Sequence, residues 1–317
     1  MNTIGKVFAL AALTLVFATG AGAQDCTLKQ AASLPMAVES DGTISVTIKI
    51  DNADEKFRLA LESASSSIKK SAADALGLKK KALPHGMMVV SIAGATAVQA
   101  IFHDVQLGGI HGTDVAVLEF PDAGTPDTIG DLGLDLLIDF DIDLDFAGGK
   151  LNLYSPDHCP GKVVYWASAY GSAPLSYSGG RLLLDLSLDG QPVRGLLTTA
   201  WQTPSMLLST ATQKFGIAPN SPDLKLVSAA DSSSPAIYEY PFKSLSVGDV
   251  SILNPVIQLR DAADICGHPL ATVLGSLKCN SSFDWDTEVV ASQLRKLHVY
   301  IATKEGKIYV TAANAHR

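Results

Sequence analysis

The chain carries one structural pattern twice, in the same order, in its first and second halves. In each copy a strand pair leads into a loop and then a short helix that ends at glycine, Gly77 or Gly216. Three further segments match in order: 105–108 with 245–248, 130–133 with 272–275, and 149–151 with 306–308. Such ordered self-similarity predicts two homologous units.

Both copies have the residue pattern of β-structure. Apolar residues alternate with polar ones over residues 44–50 and again over 182–188, as in strands with one buried face. Asp189 and Gly190 follow the second of these strands and form a strong hairpin turn signal. The sequence therefore predicts two all-β lobes with short helices.

The repeat also sets the expected domain bounds. We expect an export signal, an N-terminal segment, a first lobe, a linker and a second lobe, over residues 1–23, 24–39, 40–155, 156–180 and 181–312 respectively. The linker is rich in proline, glycine, serine and tyrosine, a composition typical of connecting segments.

The first 23 residues have the features of a cleavable export signal. Lys6 precedes an apolar stretch over residues 7–18, and small residues at 21–23 fit a cleavage site. We therefore expect the mature chain to begin at Gln24 and to be periplasmic or secreted.

The chain has four cysteines, at positions Cys26, Cys159, Cys266 and Cys279. An even number in an exported protein predicts two disulfides. Three pairings are possible, and we favour Cys26 with Cys159 and Cys266 with Cys279. The absence of a C-x-x-C motif argues against a redox or zinc role for them.

Charge and motifs exclude several functional classes. The formal net charge is −8 and no basic stripe occurs, so nucleic acid is not an expected partner. No run after the export signal is long and apolar enough to span a membrane. Asp141, Asp143 and Asp145 alternate with apolar residues, which predicts the solvated face of a strand rather than a metal site. No cofactor or metal is expected.

Three motifs of the first half carry a resemblance to a known family. They are Leu-Gly-Leu at 76–78, Gly-Asp-Leu-Gly-Leu-Asp-Leu-Leu at 130–137, and Gly-Lys-Leu at 149–151. With the preceding hairpin and loop, this order resembles a retropepsin-like aspartic peptidase domain of the bacterial exported type. The resemblance implies two retropepsin-like β-barrel lobes that form a pepsin-like bilobal domain. It also implies flap hairpins near residues 87–102 and 224–241.

The chemistry of this family needs two carboxylates that face each other between the lobes and share one proton. The resemblance places the two aspartate positions at Glu62 and Thr198. Ala64 and Ala200 replace the glycines of the family loop, and Trp201 stands where a small residue is usual. Because threonine has no ionisable side chain, we expect no proton-sharing pair and no ordinary peptidase activity.

Side chains beside these positions are the candidate binding residues, namely Ser63, Ser65, Thr199 and Trp201. For Glu62 we expect a partly buried acid that accepts hydrogen bonds from loop N–H groups and nearby serines. Trp201 has two interpretations, an aromatic platform in the cleft or a core residue that fills space left by the altered loop.

The sequence favours an exported aspartic-peptidase-like protein without catalysis that binds a peptide or protein segment. A cleft built for an extended strand keeps that ability without the aspartates. One alternative is an active endopeptidase that uses Glu62 with Asp135 or another acid. A second alternative is an envelope structural or assembly protein whose cleft is filled.

Overall fold

The structure, a computed structural model, describes residues 26–91, 94–122, 127–230, 236–260 and 284–314. The expected export signal lies outside the described residues. So do Cys266, Cys279 and the expected repeat segment at 272–275.

Strands dominate the described residues. They are β1 (Gln30–Val38), β2 (Ile44–Ile50), β3 (Ala53–Leu59), β4 (Ser67–Lys69), β5 (Lys79–Ala82), β6 (Val89–Ser91), β7 (Gly94–Thr96), β8 (Val98–Leu107), β9 (Ile110–Phe120), β10 (Gly130–Leu132), β11 (Asp141–Asp145), β12 (Lys150–Tyr154), β13 (Gly171–Ser178), β14 (Arg181–Leu188), β15 (Gln191–Leu197), β16 (Ser205–Leu207), β17 (Lys225–Ser228), β18 (Ile237–Pro241), β19 (Ser244–Val247), β20 (Val250–Leu253), β21 (Val256–Arg260), β22 (Thr287–Val289), β23 (Leu297–Ala302) and β24 (Lys307–Ala312). The helices are α1 (Lys70–Ala75), α2 (Leu208–Phe215) and α3 (Ala291–Leu294), with a 3-10 turn at Leu134–Leu136.

Strand pairing shows the duplication directly. The antiparallel hairpin β2–β3 of the first half recurs as β14–β15 in the second. Strand β10 joins β3 in parallel and β4 in antiparallel, as β22 joins β15 and β16. Strand β9 pairs in parallel with β4, as β21 does with β16. The expected all-β fold with two homologous lobes is therefore confirmed.

The two hairpins turn in the same way. Asp51 and Asn52 have φ of 49° and 70°, and Asp189 and Gly190 have φ of 49° and 79°. Positive φ at both central residues is the geometry of the two-residue turn that matches strand twist, and Asp, Asn and Gly tolerate it best. This turn fixes the register of each hairpin, and so fixes where the strand after it ends.

The short helices lie where glycine stops them. Gly77 follows α1 with φ of 63°, and Gly216 follows α2 with φ of 68°. The left-handed conformation ends a helix at little cost only in glycine and a few other residues. Each helix follows the loop that leaves the hairpin, in both lobes.

The lobes share a core and one sheet. Apolar side chains from strands of both lobes form a single buried cluster. The shared sheet has the strand order β13–β24–β23–β11–β12–β1, and β11 pairs with β23 at its centre. Strands β1 and β13 belong to this sheet, so regular structure begins before residue 40 and again at Gly171, inside the expected linker.

The centre of the shared sheet is polar but buried, which corrects the expectation of a solvated strand. Asp141 and Asp143 are both 0% exposed. Strand β11 lies between β12 and β23, and other segments cover its faces. The Asp141 carboxylate accepts bonds from His158, Tyr300 and the backbone N–H of Thr303. The pKa of Asp141 is raised above its ordinary value, because the effect of burial exceeds the lowering by the charge of His158 and by the bonds from Tyr300 and Thr303.

A disulfide joins Cys26 to Cys159, as expected. It ties the segment before β1 to the segment that follows β12. Closing a loop of this length restricts the unfolded chain and stabilises the folded one.

No helix among the described residues is both long and apolar enough to cross a membrane.

Candidate functional site

The candidate site lies where two loops meet between the lobes. We call residues 60–66 the first loop and residues 198–204 the second loop. Each loop begins one residue after a hairpin strand, and each is held by the neighbouring parallel strand. The N–H of Ala60 donates to the Leu132 carbonyl at 2.9 Å, and the N–H of Thr198 donates to the Val289 carbonyl at 3.0 Å.

These two bonds are equivalent, and they correct the alignment of the loops. Leu59 lies opposite Leu132 in the first lobe, and Leu197 lies opposite Val289 in the second. Ala60 is therefore the counterpart of Thr198, and Glu62 is the counterpart of Ala200. The expected equivalence of Glu62 with Thr198 is wrong by two residues.

A shift of two residues is hard to see in a sequence. Side chains of a strand alternate between faces with a period of two, so such a shift keeps every apolar residue on its own face. The hairpin turns resolve it, because Asp51 and Asp189 are equivalent and both loops follow at the same distance. The counterpart of β10 is likewise β22 at Thr287–Val289, rather than the expected segment 272–275.

Thr199 braces the opposite loop. Its hydroxyl donates to the Leu59 carbonyl at 2.5 Å and accepts from the N–H of Leu61 at 3.1 Å. Leu61 is the counterpart of Thr199 and has no hydroxyl, so the reciprocal side-chain bond is absent. The first loop is thus held by the second through one buried threonine.

Glu62 reaches across to the second loop. Its Oε2 accepts from the Thr199 N–H at 3.0 Å and from the Thr198 hydroxyl at 3.2 Å, and its Oε1 lies 2.7 Å from Nη1 of Arg58. The side chain is 20% exposed. Glu62 is therefore a satisfied, partly buried acid as expected, but its partners are Arg58 and the second lobe rather than the neighbouring serines.

Arg58 connects Glu62 to a second acid. Its Nε lies 2.8 Å from Oδ1 of Asp131, the residue directly opposite it on β10. Although burial lowers the pKa of Arg58, the charges of Glu62 and Asp131 raise it well above its ordinary value. The guanidinium therefore stays charged and forms an ion pair with each of the two carboxylates.

Asp135 is bound elsewhere. Its carboxylate accepts from the Ser66 hydroxyl at 2.6 Å and from the Ser66 N–H at 2.9 Å. The Ser63 hydroxyl donates to the Ser65 carbonyl at 2.7 Å. Asp135, Ser63 and Ser65 thus shape the first loop, and none of these bonds reaches Glu62.

Trp201 points outward. It is 42% exposed, so the interpretation of a residue that fills the core is wrong. Its backbone carbonyl accepts from the N–H of Ala291 at the start of α3, which fixes the loop while the ring stays accessible.

Each loop also touches a hairpin turn of the other lobe. The Gln202 amide donates to the Gly42 carbonyl at 2.7 Å. A Cβ on Gly180 would lie 2.5 Å from the Cβ of Ala64. Gly42 and Gly180 occupy equivalent turns, as Ala64 and Gln202 occupy equivalent loop positions. The two lobes therefore close on each other symmetrically around the candidate site.

Glu288 is a second unusual acid near the site. Glu288 lies on β22, opposite Leu196 of β15, and its carboxylate accepts a hydrogen bond from the Ser205 hydroxyl at 2.8 Å. Burial raises the pKa of Glu288 and the charge of Glu62 adds to this, while Ser205 and Arg260 partly offset it. No group of three or more potential metal ligands occurs among the residues that the structure describes.

The two segments expected to form flaps carry exposed apolar residues. In the first lobe Met87 and Met88 precede the small hairpin β6–β7 and are about half exposed. In the second lobe Leu226 and Val227 are similarly exposed on β17, which pairs with β18. Both hairpins fall in the segments expected to form flaps.

No model of a known protein family matches the chain, and no curated protein matches it in sequence. Among solved structures it is similar to basic 7S globulin from soybean, with a TM-score of 0.48 and 10% identity over 92% of this chain and 100% of that one. An aspartic proteinase from Irpex lacteus gives 0.49 and 9% over 91% and 98%. Conglutin gamma, a basic 7S globulin from lupine seeds, gives 0.49 and 12% over 91% and 96%.

Proposed function

We propose that the chain is an exported, non-catalytic relative of the aspartic peptidases that binds an extended peptide or protein segment between its lobes. One observation carries the loss of catalysis. In the register set by the strands, the two equivalent positions that would bear the aspartates hold Ala60 and Thr198. Neither residue can supply the carboxylate that the shared-proton mechanism requires.

The nearby acids do not replace the missing pair. The carboxylate of Glu62 forms an ion pair with Arg58 and accepts hydrogen bonds from Thr198 and Thr199. Asp135 is bound by Ser66. The shared-proton mechanism needs two carboxyl groups close enough to hold one proton between them, and these contacts direct both acids to other partners.

Exposed apolar groups support the binding part of the proposal. Trp201 stands on the second loop, and apolar pairs stand on both flap regions. Among the described residues β17 pairs only with β18, so its other edge offers N–H and C=O groups to an added strand. Peptide recognition by strand addition combines such backbone bonds with apolar contacts.

The disulfide supports the export part of the proposal. Cys26 and Cys159 are bonded, and disulfides persist mainly in oxidising compartments. The expected signal over residues 1–23 supplies the route.

Peptide selection tests the proposed binding. The mature protein from residue 24 is presented with a peptide library, and selected peptides are measured by fluorescence anisotropy. We expect Trp201→Ala to weaken binding roughly ten- to a hundredfold, as removal of an exposed aromatic anchor does. Tyr177→Ala is the matched control, since Tyr177 is also exposed but lies on β13. Absence of any selected peptide, or equal losses in both variants, would contradict the proposal.

A further inference from the structure

The group that holds Glu62 has the composition of a carboxylate receptor. It offers three donors to the carboxylate: the Arg58 guanidinium, the Thr198 hydroxyl and the Thr199 N–H. A guanidinium opposite a hydroxyl and a backbone N–H serves both oxygens of one carboxylate. The Thr199 hydroxyl also lies 3.1 Å from Oε2 of Glu62, but its hydrogen is given to the Leu59 carbonyl.

Each donor is fixed by a partner other than Glu62. Asp131 holds Nε of Arg58. The Ala200 N–H donates to the Thr198 hydroxyl oxygen at 3.1 Å. The hydroxyl hydrogen therefore points away from Ala200 and toward the carboxylate of Glu62. The brace formed by the Thr199 hydroxyl with Leu59 and Leu61 positions the Thr199 N–H. The donors therefore keep their places when the Glu62 side chain leaves.

Glu62 differs from its partners in mobility and access. It sits on a loop, its contacts are made by the carboxylate, and one fifth of its side chain is exposed. If another carboxylate replaces that of Glu62, Arg58 still has two carboxylates beside it. The charge around the guanidinium is then unchanged. One anion can thus replace the other.

We propose that Arg58, Thr198 and Thr199 form a carboxylate-binding site in which Glu62 is an internal occupant that an external carboxylate displaces. The ligand chemistry is a single carboxylate, from the C-terminus or an acidic side chain of a bound segment. The identity of that segment rests on the proposed function, whereas the receptor does not. Glu62 then acts as a gate, closing the site until a matching carboxylate enters.

Chemical rescue tests the receptor. Glu62→Ala empties the site, and thermal unfolding is followed at neutral pH and constant ionic strength with either acetate or the neutral acetamide. We expect acetate to raise the unfolding midpoint of Glu62→Ala by roughly 2–4 °C at saturating concentration, and acetamide to leave it unchanged. The wild-type protein should respond much more weakly to acetate, because acetate must then compete with the tethered carboxylate of Glu62.

A double variant shows where acetate acts. In Glu62→Ala/Thr198→Val the hydroxyl is lost with little change of shape, and the acetate effect should fall by at least half. Should Glu62→Ala not fold alone, refolding yield in acetate against acetamide replaces the midpoint. Equal behaviour in acetate and acetamide overturns the proposal, as does an acetate effect that Thr198→Val leaves intact.

Three short probes identify the source of the carboxylate. They are acetyl-Ala-Ala with a free carboxylate, its amide, and acetyl-Asp-Ala amide, each added to Glu62→Ala. A larger shift with the first assigns a chain terminus, and a larger shift with the third assigns an acidic side chain. Equal shifts with all three overturn the proposal. If acetate fails while Trp201-dependent peptide binding stands, the receptor is refuted and the proposed function is not.

Discussion

At the scale of single residues, two threonines and one glutamate join the two loops of the candidate site. The Thr199 hydroxyl joins the two loops by bonding to the backbone of Leu59 and Leu61. The Glu62 carboxylate adds a further bond by accepting from the Thr199 N–H. The two Thr199 hydroxyl bonds are buried, the Glu62 bond is partly buried, and all three cross between the lobes. Bonds from both lobes therefore hold the two loops against each other at the candidate site.

Thr199→Val tests the brace. Valine keeps the volume but leaves the Leu61 N–H and the Leu59 carbonyl without their partner, and an unsatisfied buried group costs about 1–3 kcal/mol. We expect the free energy of unfolding, measured with denaturant, to fall by that amount. Thr203→Val on the exposed part of the same loop is the control and should change it by less than about 0.5 kcal/mol. Equal effects of the two substitutions would refute the brace.

At the scale of elements, the two parallel strands that hold the loops, β10 and β22, each carry an acid at the same position of the strand. Asp131 on β10 forms an ion pair with Arg58. Glu288 on β22 lies opposite Leu196, and burial raises its pKa. The duplication has thus produced one compensated and one poorly compensated acid at equivalent places.

Glu288→Gln tests the cost of the second acid. A raised pKa means that the folded state holds the proton more tightly than the unfolded state does. The folded protein is therefore favoured below the ordinary pKa of glutamate, and stability is lost as pH rises through the raised value. We expect the variant to be more stable than wild type at pH 7, with little difference at pH 4, in denaturant unfolding.

The exposed Asp249→Asn is the control for this pH dependence and should leave both stabilities unchanged. A Glu288→Gln variant that loses stability at pH 7 would show that Arg260 and Ser205 compensate the charge fully.

At the scale of the whole molecule, local signals predicted the architecture well. Asp189 with Gly190 gave the hairpin, Gly77 and Gly216 gave the helix ends, and the pairing of Cys26 with Cys159 was also predicted. The turn and the helix ends follow from the conformational limits of a few residues, so sequence is sufficient for them, whereas the disulfide was one of three possible pairings.

The site was harder to predict because its parts come from distant segments. A two-residue shift of the first loop preserves the apolar alternation, so the sequence pattern does not distinguish Glu62 from Ala60 as the counterpart of Thr198. The alternation at Asp141 and Asp143 predicts a solvated face, because partners such as His158 and Tyr300 lie on other segments and leave no local signal. The outward position of Trp201 likewise depends on how the second loop packs on α3.

Assaying cleavage tests the central claim most directly. The mature protein is incubated with a peptide library between pH 3 and pH 7, and products are identified by mass spectrometry. Ala60 and Thr198 stand at the two positions where the proposal would require the catalytic aspartates. We therefore predict no cleavage at any pH, and the same result for Glu62→Gln. Cleavage by the wild-type protein that disappears in Glu62→Gln would contradict the account.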